Sequence, residues 1–156
     1  MPIFMALHIL SMFTMVTLFS GGELFYLFAI RERDVRALAW LHRTAERTRL
    51  GYVALGALVA GVAFGLLTAA TGGLDFFEGW LIAAYLLVAL FFVNAIVNGR
   101  DMIRLAEKAV EADAGERPVE EVVSEVAAAT NRATLLFAGN VAIFALIILD
   151  MVLKPF

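Results

Sequence analysis

The chain has 156 residues, 62% of them hydrophobic, 17% charged, a net charge of −3 and a mean hydropathy of +0.88. A soluble domain of this size carries about a quarter charged residues and under half apolar ones, so the composition excludes an ordinary soluble globule. The absence of cysteine excludes a disulfide framework, a thiolate metal site and a Cys nucleophile.

The first apolar stretch, residues 3–30, contains only one acidic and one basic side chain, Glu23 and His8. No basic segment precedes it and no small-residue cleavage site follows a short core, so it reads as a span rather than a cleavable signal peptide. Met1, Met5, His8, Met12, Met15, Phe19, Glu23 and Tyr26 recur every three or four residues and share one helical face. A His flanked by Met5, Met12 and Met15 is a ligand set that copper(I) or a haem iron accepts, while Met is also a common gap-filler in helix cores. Three readings of His8 stay open on the residues: a hydrogen-bonded structural imidazole, haem or copper ligation, and a proton- or quinone-related role. Asp150, near the end of the last span, is expected at a similar depth and would fix the imidazole by a hydrogen bond.

The segment after this span, "RDVRALAWLHRTAERTRL", sets Val35, Leu38 and Ala45 on one side and Arg36, Arg43 and Arg47 on another. That pattern predicts a short helix at an anionic membrane surface. Residues 51–71 form the second span, with Gly56, Gly61 and Gly65 among small residues. "GVAFG" is a G-x-x-x-G pair, which permits close approach of membrane helices, first of all within this bundle. The third span, 78–98, follows an acidic turn and carries Trp80 at its start and Asn94 and Asn98 near its end. The charged segment 99–132 reads as two helices broken at "DAGERPVEE", where Gly115 ends one and Pro118 sits in the first turn of the next. The fourth span, 133–153, contains Asn140.

An apolar run of about 18 or more residues crosses the roughly 30 Å hydrocarbon core as a helix, the form that satisfies its own backbone in lipid. The sequence therefore predicts an all-α integral membrane four-helix bundle. Six of the twelve Lys and Arg residues fall between Arg31 and Arg49 and five between Arg100 and Arg132, against Lys154 alone at the opposite end. The positive-inside rule then places segments 31–50 and 99–132 in the cytoplasm and both termini outside. The basic residues follow topology and do not point to nucleic acid.

Counting about 1.5 Å per residue from the nearest arginine puts Glu23 and Asn140 about 12 Å deep and Asn94 about 9 Å deep, with Asn98 nearer the interface. A carboxylate facing lipid costs several kcal/mol, so an amide layer inside the bundle is the expected solution. The layer reads as interhelical glue, as a proton or ion pathway, or as contact with a partner subunit. The chain contains no Ser-His-Asp set, no HExxH, no Walker loop and no paired buried carboxylates. The reading is a non-catalytic membrane subunit or scaffold, with lipid and other membrane subunits or further copies of itself as partners.

The opening "LHILSMFTMVTLFSGGELFYLFAIRERDVRALAWLHR" resembles small bacterial four-helix membrane proteins of the DUF2269 type and, more distantly, the copper-resistance CopD-like proteins. The resemblance rests on Leu7 and His8 early in the first span, Gly21 and Gly22 within it, and the Arg-rich segment after it. It implies a bacterial cytoplasmic (inner) membrane protein. Its CopD-like side implies copper or haem handling, carried in this chain by His8.

Overall fold

The computed structural model describes residues 2–153; Met1 and Lys154, both part of the sequence expectations, lie outside the described residues. The described chain is five α-helices: α1 (Pro2–Glu32), α2 (Val35–Thr48), α3 (Leu50–Gly72), α4 (Gly79–Asp113) and α5 (Val119–Leu153). Of these, α1, α3, α4 and α5 are long and apolar enough to cross a bilayer. Their outward faces carry side chains such as Phe13, Phe25, Leu55, Val59, Leu86 and Leu135, which lipid can solvate.

The breaks between helices have local causes. Arg33 adopts a left-handed conformation (φ 55°), and the Arg33 and Asp34 N–H groups close on the carbonyls of Ile30 and Ala29. Asp34 then caps α2, its side chain accepting from the Ala37 N–H at 2.9 Å. Arg49, also left-handed (φ 54°), turns the chain from α2 into α3. Gly115 (φ 78°) ends α4 with the Glu116 N–H on the Glu111 carbonyl, and α5 starts at Val119, just after Pro118.

Helix α3 lies along α1, α4 lies along α5, and α1 against α5 joins the two pairs. Among the described residues no close packing joins α3 to α4, so the bundle is open between them. Beyond their apolar spans α4 and α5 continue without interruption as a helical hairpin. Here the expectation for α2 changes. Its apolar face, Val35, Leu38 and Ala39, is buried against Met102, Leu105, Ala109 and Val126 of the hairpin, not laid on lipid. A protein surface with the complementary apolar stripe covers this face more completely than a headgroup layer would, and Leu38 and Ala39 are fully buried. Arg36 and Arg47 are exposed, whereas Arg43 reaches Asp113 at the end of α4 at 2.7 Å.

Two core clusters result. One joins the end of α1 to α2 and the hairpin. The other lies mid-bundle and consists of Met15, Leu58, Phe91, Ala95, Ile143 and Ile147. Phe91 is its centre, edge-on to Phe19 at 5.4 Å and tilted against Phe144 at 4.4 Å between ring centroids.

Candidate functional site

On one side of the Phe91 cluster, α1, α4 and α5 each contribute a polar side chain to a single network. Glu23 is 6% exposed, Asn98 0% and Asn140 1%. Asn98 Nδ2 donates to Glu23 Oε1 at 2.7 Å, and Asn140 Nδ2 donates to Oε1 and Oε2 at 2.9 and 3.0 Å. Asn94 does not touch the carboxylate. Its Nδ2 donates to Asn140 Oδ1 at 2.7 Å and to the Leu136 carbonyl at 2.8 Å, which fixes the Asn140 amide with its NH₂ toward Glu23. The carboxylate thus receives donors from two other helices, while Asn94 acts one step behind.

Two features of this network are not anticipated by the sequence pattern. A Cβ at Gly139 would stand 3.3 Å from Asn94 Nδ2, so the missing side chain makes room for the amide to reach α5. The signal for it is the Gly-Asn pair at 139–140. The other is Asn98 Oδ1, a buried acceptor beside the carboxylate without a hydrogen-bond partner among the described residues.

On the other side of the Phe91 cluster lies His8, about 22 Å from Glu23 along α1. Its Nδ1 is 2.7 Å from the Gly61 carbonyl of α3. The glycines of the G-x-x-x-G pair create this approach. A Cβ on Gly61 would meet Met12 Sδ at 2.6 Å, and one on Gly65 would meet His8 Nδ1 at 2.9 Å. Gly56, by contrast, would have nothing within 4 Å of an added Cβ and takes no part in this packing. Asp150 does not hold the imidazole. Among the described residues its buried Oδ2 has no hydrogen-bond partner, while the close α1–α3 crossing gives His8 Nδ1 a backbone carbonyl instead.

His8 and Met12 form part of the wall of a cavity of about 500 Å³ between α3 and α4. Its other walls are largely apolar, with Leu58 and Val62 of α3, Trp80, Ala84 and Phe92 of α4, and Met151 of α5. Trp80, expected at the membrane boundary, is 8% exposed and donates its Nε1–H to Glu78.

The quartet His8, Met5, Met12 and Met15 does not assemble into one coordination sphere. Met5 is half-exposed and does not line the cavity, and Met15 is packed into the Phe91 cluster. A stripe of ten residues along one helix covers about 15 Å, whereas the ligands of one ion stand within about 2–2.5 Å of it. For haem, His8 and Met12 sit on successive turns of the same helix and cannot take opposite faces of one porphyrin. Among the described residues the cavity wall also offers no Lys or Arg to a propionate.

The sequence profile of the DUF2269 family, described as a predicted integral membrane protein, matches residues 2–155. No curated protein and no solved structure matches the chain.

Proposed function

The chain belongs to the DUF2269 family of integral membrane proteins, and on that premise we propose that it is a non-catalytic multi-pass subunit or scaffold of a larger membrane assembly, of the respiratory or other energy-converting kind. The observation that carries this reading is the state of Glu23. The one carboxylate deep within a span is occupied by two amide donors from neighbouring helices, and one of them, Asn140, is braced by a third amide. Such an arrangement fixes helices relative to each other. A proton or ion path would need further polar stations, but toward the N-terminal end of α1 the next ionisable group is His8, with Met15, Phe19 and Phe91 packed between.

The positive-inside rule directs α2 and the hairpin toward the cytoplasm of a bacterial inner membrane and the termini outward. The hairpin then offers a solvated face, including Arg104, Glu107 and Glu120, to a partner on that side. Native extraction in a mild detergent, followed by mass measurement of the intact particle, tests the reading. A stoichiometric complex with other membrane polypeptides is expected. Recovery of this chain alone, together with a proton flux in proteoliposomes that Glu23→Gln abolishes, would replace it with a transporter.

A further inference from the structure

The cavity beside His8 has a chemistry of its own. The Gly61 carbonyl can only accept, so the 2.7 Å contact makes Nδ1 the protonated nitrogen. In the neutral ring Nε2 then carries the lone pair, and among the described residues it makes no hydrogen bond. Two other polar groups at the wall are committed elsewhere: the Thr68 hydroxyl donates to the Phe64 carbonyl and the Trp80 indole N–H to Glu78. A cavity of about 500 Å³ falls within the roughly 300–1,000 Å³ range of small-molecule sites, which combine apolar walls with a few placed polar groups. Because α3 and α4 are not packed closely together, the cavity is approached sideways from the bilayer, through apolar side chains.

We propose that this cavity binds a bilayer-dissolved hydroxyaromatic molecule of the quinol class, its hydroxyl donating to His8 Nε2 and its ring lying among Trp80, Tyr85 and Phe92. The Tyr85 hydroxyl on the wall can donate or accept, whereas the imidazole nitrogen can only accept, and that nitrogen selects ligands that donate. A quinol meets that demand, whereas the corresponding quinone presents carbonyl oxygens that can only accept and would face the lone pair without a proton between them. A plain acyl chain fits the walls but leaves the imidazole unpartnered. The site therefore distinguishes the reduced from the oxidised form of one ring. No electron transfer is assigned to it.

The test uses the full chain carrying Trp40→Phe, which leaves Trp80 as its one tryptophan, reconstituted in nanodiscs under argon. Decylubiquinol and decylubiquinone are titrated in turn while Trp80 fluorescence is followed. The expected result is saturable quenching about tenfold tighter for the quinol, the difference one hydrogen bond makes. His8→Phe, which keeps an aromatic ring but no acceptor, removes that preference. Ala84→Leu grows from α4 into the void with His8 untouched, and removes saturable quenching by both forms. Equal affinity for quinol and quinone, or saturable quenching that survives Ala84→Leu, overturns the proposal. If His8→Phe does not fold, the quinol-to-quinone ratio and Ala84→Leu decide it alone.

Discussion

Replacing Asn140 by leucine, which keeps its branched heavy-atom skeleton but no polar atom, removes the side chain on which the polar layer turns. Asn140 Nδ2 serves both carboxylate oxygens, counted here as one bifurcated bond, and Oδ1 accepts from Asn94. Interhelical hydrogen bonds in membranes average about 0.6 kcal/mol and reach about 1.7. Two of them give about 1–3 kcal/mol, and the charge assistance of a carboxylate favours the upper half. The expected loss is therefore about 2 kcal/mol, measured by steric trapping of the biotin-tagged protein in bicelles. Asn98→Leu is expected to cost about half as much, because it loses one donor but also removes a buried acceptor that has no partner. The decisive measurement is the double variant Glu23→Leu/Asn140→Leu. If the two side chains act on each other, the pair recovers at least about 1 kcal/mol relative to the sum of the singles. Additive losses, or an Asn140→Leu variant within about 0.3 kcal/mol of wild type, would refute the claim that this network joins α1 to α5.

The remaining expectations concern packing, ion pairs and orientation. Gly65→Ala forces a carbon to within 3.0 Å of an imidazole pinned to α3, and is expected to destabilise by about 1–3 kcal/mol in the same assay. Gly56→Ala, with open space around it, should be neutral or stabilising by up to about 1 kcal/mol. Arg43→Ala, at an exposed pair with Asp113, should cost under about 1 kcal/mol, and raising the salt concentration should shrink the difference from wild type. Single cysteines at Arg47 and Phe77, both exposed, report orientation. A membrane-impermeant maleimide is expected to label position 77 in intact cells and position 47 only after lysis.

Much of this architecture is legible in the sequence because lipid constrains the backbone so tightly. Uninterrupted apolar runs mark α1, α3, α4 and α5, and the rise per residue alone brings Glu23, Asn94 and Asn140 to similar depths. What hydropathy does not encode is rotation and register. A shift of one turn along α4 makes Asn98, not Asn94, the direct donor to Glu23, and one-turn shifts leave an apolar run unchanged. The imidazole's partner is hidden for a different reason. Side-chain reasoning offers Asp150, whereas the structure uses a backbone carbonyl, uncovered where Gly61 and Gly65 let α1 approach. The signal for it is the G-x-x-x-G pair itself, which by pattern alone reads only as a packing motif. For α2 the amphipathic pattern is plain, but a stripe of Val, Leu and Ala does not say whether lipid or another helix will cover it.

The two ends of the molecule are held by different physics, which explains where its polar residues stand. Beyond the apolar spans, α2 and the hairpin bury Leu38, Ala109, Val122 and Val126 completely, and there the hydrophobic effect acts as in any water-soluble core. Within the bilayer that force is nearly silent between helices, because acyl chains solvate Leu and Phe as well as a neighbouring helix does. Association must then come from close backbone approach, from interlocked rings and from groups that lipid cannot satisfy. The Gly61–Gly65 face joins α1 to α3, the Phe91 cluster fills the middle, and Glu23 with its amides joins α1 to α4 and α5. Neither a close backbone approach nor a hydrogen bond of this kind joins α3 to α4 among the described residues. That gap is where the cavity forms, and His8 stands on its wall.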